Sequence, residues 1–245
     1  MIFTSVDLFL IGLVFLWAGF VRTGIGFGGA AFGLPLLLLI GGSPIYWLPM
    51  IGIHLLFFSS LTLSKSLTSV DWAYLKKSLV WIIPPTLLGV FGLISLSDQV
   101  ISALIYIITL FYSITWITDQ KIQSTNNWVD KFLLSFGGYV AGTSLTGAPM
   151  IVAVYARHVE KTYLRSTLFV LWIILVGIKM LTFLSVGVAI DWQFALWLIP
   201  IAALGHYAGL RAHEKIMEND QRFKHWVGGI LLVVSALGLL KLYLG

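Results

Sequence analysis

The sequence predicts an all-α polytopic membrane protein built from two inverted repeats, each a broken, re-entrant-like helix pair followed by three transmembrane helices. Three observations predict it. Hydrophobic residues make up 59% of the 245 residues and charged residues only 10%, against about 25% charged in a soluble domain, so water cannot be the solvent for most of this surface. Apolar stretches run at roughly 8–42, 45–64, 78–96, 99–118, 132–156, 166–190, 193–210 and 226–244, most of them close to the ~20 residues one bilayer crossing needs. Finally, two of these stretches are interrupted by glycine in the same way, Gly19 and Gly138 opening runs 119 positions apart (138 − 19).

The first stretch carries Gly19-Phe20-Val21-Arg22-Thr23-Gly24-Ile25-Gly26-Phe27-Gly28-Gly29, and its counterpart reads Gly138-Tyr139-Val140-Ala141-Gly142-Thr143-Ser144-Leu145-Thr146-Gly147-Ala148-Pro149. Glycine tolerates the backbone angles of a helix break and lets another backbone or a ligand approach. Gly24-x-x-x-Gly28 is also the spacing for close helix packing. As a nucleotide fingerprint, Gly24-x-Gly26-x-Gly28-Gly29 lacks the soluble strand–helix–strand context. Beyond each break the repeat continues. Asp71-Trp72 opens a segment reaching Pro84 and Gly89, and Asp191-Trp192 opens one reaching Pro200 and Gly205 with equal Pro-to-Gly spacing. The chain therefore reads as one transmembrane domain, with repeat 1 near 1–118, a polar connector at 119–130 and repeat 2 near 131–245.

Loop charges give the orientation. Lys65, Lys76 and Lys77; Lys121 and Lys131; Arg157, Lys161 and Arg165; and Arg211, Lys215, Arg222 and Lys224 cluster between spans, whereas the loops near 41–45, 97–98 and 188–192 carry no Lys or Arg. Were 132–156 a single crossing, loop 65–77 would face the opposite side from 157–165 and 211–224, against the positive-inside rule. If 132–156 enters and leaves on one side, all four basic segments become cytoplasmic. If 8–42 does the same from outside, the two halves are inverted. Asp7 is the sole charge before Arg22, so no basic signal-peptide region opens the chain. Cysteine is absent, which excludes thiol chemistry.

Paired, interrupted segments in two halves point to a transporter's binding site. A half-helix starting inside the membrane aims free N–H groups and a positive dipole end at its cavity, which suits an anion. The expected site is Gly24, Gly26, Gly28 and Gly29 at the first break with the cation Arg22, and Gly142, Thr143, Ser144, Thr146 and Gly147 at the second, with Pro149 in the new helix's first turn. Lys179 sits deep in an apolar helix without an acidic residue clearly within the spans to pair with it, and either binds the anion or snorkels to an interface. His54 and His206 are either packing residues or a proton relay. No metal-ligand pattern is present, since His213-Glu214 does not extend to His-Glu-x-x-His, and no cofactor is expected. Trp47, Trp72, Trp192 and Trp226 fit interfacial anchoring.

The early Gly24-Ile-Gly-Phe-Gly-Gly leading to Pro35, the second-half Gly142-Thr-Ser-Leu-Thr-Gly-Ala-Pro149, and the Val70-Asp71-Trp72 segment with its echo ending Gly209-Leu210-Arg211 resemble the sulfite exporter TauE/SafE family over nearly the whole chain. The second break departs from that family's glycine-rich pattern at Leu145 and Ala148. The resemblance implies a multi-pass permease of the bacterial inner membrane for small sulfur-containing anions such as sulfite or sulfonates. The expected partners are that anion and the lipid bilayer, with a homo-oligomer compatible and nucleic acid excluded. The alternatives are an anion channel, a transporter of another small anion such as a carboxylate, or a non-transporting assembly or sensor protein. A hydrolase using Ser144 and His206 is disfavoured because Leu145 interrupts the Gly-x-Ser-Gly pattern such an enzyme would show; the chain is expected not to be an enzyme.

Overall fold

A computed structural model describes residues 3–25, 29–64, 67–120, 122–218 and 220–244, and those residues are helical without strands. Ten α-helices follow in chain order: α1 (Ser5–Ile25), α2 (Gly29–Ile40), α3 (Pro44–Leu63), α4 (Trp72–Ser95), α5 (Asp98–Ile117), α6 (Asn127–Ser144), α7 (Ala148–His158), α8 (Lys161–Ser185), α9 (Trp192–Glu218) and α10 (Asp220–Leu244). Seven of them are long and apolar enough to cross a membrane, and α2 is a shorter apolar helix. The bilayer rather than a core accounts for much of their apolar surface: Val80, Leu88 and Phe91 of α4 and Leu196, Trp197 and Leu204 of α9 are exposed, as side chains facing lipid are.

Caps explain where several helices start. The Asp71 carboxylate accepts from the Tyr74 amide at 2.9 Å and Asp191 from the Phe194 amide at 3.0 Å, so the repeated Asp-Trp pair is a repeated N-cap. Asn126 caps α6 through the Trp128 and Val129 amides. At the second break Leu145 takes the left-handed conformation, φ 59°, and its amide bonds Ala141 O. For a non-glycine residue that geometry costs roughly 1–2 kcal/mol. Pro149 lies in the first turn of α7, where its missing N–H is not needed.

The helices form two compact units, which do not coincide with the two sequence halves. Unit 1 comprises 1–50, 97–121 and 190–245; unit 2 comprises 51–96 and 122–189. In unit 1, α1 and α2 form an antiparallel hairpin: a Cβ on Gly29 would meet Ala18 O, and one on Gly33 would meet Ala18 and Val14. Helix α9 runs parallel to α1, with Gly12 beside Ile201, Gly19 beside Ala202 and His206, and Gly209 beside Phe20 and Thr23. Helix α10 runs antiparallel to α5, Gly228 lying on Ser113 and Trp116 and Gly238 on Tyr106. One end of this unit gathers Phe3, Tyr46, Trp47 and Phe194 in ring contact. The other end has Asp119 hydrogen-bonded by Gln221 and His225.

Unit 2 repeats the plan with partners exchanged. Helices α6 and α7 form an antiparallel hairpin, Gly137 facing Ile151 and Met150, while α4 runs parallel to α6 through Gly89, Gly138 and Gly142. The far ends of the hairpin meet: Asp130 near the start of α6 accepts from Arg157 at 3.0 Å, pairs with His158 at 2.7 Å at the end of α7, and bonds Ser124. A straight crossing would hold residues 130 and 158 a membrane's thickness apart. Here residues 127–158 leave by the end they entered. Helix α8 starts at that same end, because the Asp71 amide donates to Thr167 Oγ1 at 2.9 Å.

The contacts also correct the sequence pairing of glycines. Equal Pro-to-Gly spacing matches Gly89 with Gly205. Gly89, however, lies against Tyr139 O, Gly142 and the Thr143 amide, while Gly209 lies against Phe20 O, Thr23 and the Gly24 amide. Those neighbours correspond one by one at the 119-residue offset, so Gly209 is the structural counterpart of Gly89.

Candidate functional site

The second break is described in full. α6 stops at Ser144 and α7 starts at Ala148 with Gly147 as N-cap and no side-chain cap bond. The hydroxyls expected to face a ligand are engaged locally: Thr143 Oγ1 donates to Val140 O at 3.1 Å, Ser144 Oγ to Val140 O at 3.0 Å, and Ser144 and Thr146 share a 2.6 Å hydrogen bond. All three residues are buried, at most 1% exposed. If Ser144 donates to Val140, Thr146 donates to Ser144, and no hydroxyl proton of the trio is left over. Gly142 and Gly147 are held by packing, since a Cβ on Gly142 would overlap Thr86 O and one on Gly147 would overlap Gly137 O. Those collisions explain both glycines before any ligand is invoked.

Lys179 differs. It is 1% exposed on α8, and its ammonium has no hydrogen-bond partner among the described residues. Snorkelling is ruled out by that burial, and an uncompensated lysine at membrane depth costs about 2.5–3.5 kcal/mol even on insertion scales. The group is therefore a buried donor whose partner is not among the described residues.

At the first break Gly26 and Gly28 lie outside the described residues. Arg22 is 6% exposed, with its side-chain carbons beneath Gly29. A Cβ on Gly24 would meet Ile216 at 2.7 Å. Thr23 Oγ1 and His206 Nδ1 are 2.6 Å apart and buried, and His213 Nδ1 sits 2.7 Å from Gly24 O. His54 is 2% exposed, stacked on Phe58 at 6.5 Å between centroids. Lys179 and the second break belong to unit 2, and Arg22, the first break and His206 to unit 1.

Sequence reasoning missed two groups. His213 follows His206 by two helical turns, a spacing that places both on one face of α9, and the pair could have been read together. The Asp130 clamp was hidden because its partners lie 27 and 28 residues away. Burial works against the Asp130 carboxylate, but hydrogen bonds from Ser124 and His158 and the charges of His158 and Arg157 outweigh it, holding its pKa below the usual value. Tyr74 stacks on His158 at 4.9 Å, closing the clamp from α4. Among the described residues no three His, Cys, Asp or Glu side chains converge as a metal site would.

No curated protein and no solved structure gives a significant match to this chain. The profile of the family described as sulfite exporter TauE/SafE matches residues 10–238. With ten helices among its described residues, two glycine-dependent hairpins and that match across nearly its full length, this chain is a multi-pass membrane protein belonging to the sulfite exporter TauE/SafE family.

Proposed function

We propose that the protein is a secondary transporter of a small sulfur-containing anion, a sulfite- or sulfonate-like species, and that Lys179 supplies the charge that holds it. The observation that carries this reading is the buried Lys179 ammonium, which has no hydrogen-bond partner among the described residues, in a chain of a membrane transporter family. A bound anion offsets the desolvation of the lysine. Such a site favours ligands that arrive as anions and give up water to a fixed cation. Arg22 is the second cation available, at the first break.

The proposed orientation puts the end of unit 2 bearing Lys76, Lys77, Lys131, Arg157, Lys161 and Arg165 in the cytoplasm, as the positive-inside rule requires. The convergence of Asp130 with Arg157 and His158, and of Asp71 with Thr167, supports it, because all these basic residues then share one end. Following the chain, the α1–α2 hairpin enters from outside and α6–α7 from inside, the inverted repeat of many secondary transporters. In a bacterium the membrane is the inner one. An anion leaving the cytoplasm would gain about 2.3 kcal/mol per charge per 100 mV of inside-negative potential, so export does not demand a coupling ion.

The test is sulfite, sulfoacetate and thiosulfate counterflow in proteoliposomes. Wild type is expected to show saturable flux of at least one of them, and Lys179→Met to lower it by more than about tenfold, equivalent to 1.4 kcal/mol. Undiminished flux in folded Lys179→Met protein would overturn the assignment.

A further inference from the structure

Lys179 is not alone. Three buried side-chain donors of unit 2 lack a hydrogen-bond partner among the described residues: Lys179 Nζ and Trp172 Nε1 on α8, and Ser59 Oγ on α3. The residues are 1%, 9% and 1% exposed. Buried polar atoms almost always find partners, so three on neighbouring surfaces call for a common explanation.

Their placement supplies one. Arg165, Trp172 and Lys179 are spaced by seven residues, nearly two whole turns, so they fall on one face of α8 at steps of about 10.5 Å. Helix α3 runs antiparallel to that helix. Gly52 lies against Met180 and Val176, and past its end the chain reaches Asp71, whose amide is bonded to Thr167. Ser59, seven residues after Gly52, therefore falls level with Trp172, seven residues before the Val176–Met180 contact. The row ends at Arg165, whose guanidinium lies 5.7 Å over the Phe169 ring, at the basic end of the unit.

We infer that Lys179, Trp172 and Ser59 form a file of donors along the α3–α8 seam, leading to Arg165, through which the transported anion passes between the buried lysine and the basic end. The inference rests on the anion-transport reading above and names the substrate class more narrowly. An ammonium, an indole N–H and a hydroxyl present donors toward the ligand, so the file takes acceptor-only oxyanions such as sulfite or sulfoacetate. An amino sulfonate such as taurine would bring its own ammonium toward Lys179 and is rejected.

The test uses sulfite counterflow in proteoliposomes with the full chain. Trp172→Phe keeps the ring and removes the donor; Ser59→Ala removes the hydroxyl; Ser59→Thr keeps it. Trp172→Phe and Ser59→Ala are each expected to raise the sulfite KM three- to tenfold at unchanged unliganded melting temperature, with Ser59→Thr close to wild type. Sulfoacetate should compete with sulfite in wild type and taurine should not. Wild-type KM in both donor variants, with Lys179→Met inactive, would overturn the file while leaving Lys179 as the site. Undiminished flux in Lys179→Met would overturn both. If Trp172→Phe fails to fold, Ser59→Ala and the competition decide, and taurine competing as well as sulfoacetate would overturn the donor-only selection.

Discussion

The parallel helix pairs α1–α9 and α4–α6 are the same device with different contents. In both, a glycine of the hairpin's long arm meets a backbone carbonyl of its partner: Gly19 against Ala202 O, Gly138 against Ile82 O. At the offset that relates the two, Thr86 corresponds to His206 and Gly142 to Thr23. In unit 2, Thr86 Oγ1 donates to Ile82 O at 2.8 Å and Gly138 O at 3.0 Å, a side-chain-to-backbone arrangement with Gly142 packed beside it. In unit 1 the larger pair meets side chain to side chain, Thr23 on His206 at 2.6 Å. The glycines thus build the scaffold, and the polar residue chosen at one position decides whether the seam closes on backbone carbonyls or on a pair of side chains.

The largest expected effect comes from breaking the scaffold in one seam and sparing an open glycine elsewhere. Gly205→Val would drive its Cβ into Leu16 O, where backbone must move; a cost beyond the ~1–3 kcal/mol of ordinary overpacking should abolish monodisperse protein in detergent gel filtration. Gly142→Val should do the same in the other seam.

Removing the polar inserts sharpens the comparison. Thr23→Val leaves buried His206 without its hydroxyl partner and should cost about 1–3 kcal/mol. Thr86→Val loses a hydroxyl bond to the carbonyls of Ile82 and Gly138, both of them in helices, and should cost nearer 1 kcal/mol; melting temperatures of the two variants measure the difference. If the Thr86 variant loses more, the seams are not related as described.

The hairpin clamp gives a pH effect. Because the folded Asp130 pKa is lowered, its contribution is present above the unfolded value of about 3.9 and is lost as pH falls through the lower folded value. Asp130→Asn should lower the melting temperature at pH 7 by an amount corresponding to about 1 kcal/mol and flatten the wild-type loss of stability below about pH 4. The smallest effects belong to open positions. Gly177→Ala meets nothing within 4 Å and should be neutral or stabilising by up to about 1 kcal/mol, and Leu145→Gly should relieve about 1 kcal/mol of left-handed strain.

Much of this architecture was legible because it is written in local chemistry. Apolar length set the spans, Asp71 and Asp191 set the caps, and the duplicated glycine runs marked both hairpins. The exchange of helices between units was not legible, because a 119-residue repeat says which segments correspond and not which pack together; Gly89 found its counterpart only through the residues touching it. Lys179 stood out as a charge in an apolar run. Trp172 and Ser59 did not, because a tryptophan or serine in a membrane helix is unremarkable until its donor proves buried without a partner among the described residues. The hydroxyls of Thr143, Ser144 and Thr146 read as ligand donors in sequence, yet each had a carbonyl or hydroxyl within reach.

The claim that the two hairpins enter from opposite faces is open to direct measurement, because the chain has no cysteine. Single cysteines at Thr4, Ser43, Ser124 and Glu160 can be probed in intact cells with a membrane-impermeant maleimide. Thr4→Cys and Ser43→Cys should label from outside, and Ser124→Cys and Glu160→Cys only after the membrane is opened. Labelling of Ser124→Cys and Glu160→Cys from opposite sides would make 127–158 a plain crossing, and labelling of all four from one side would remove the inversion.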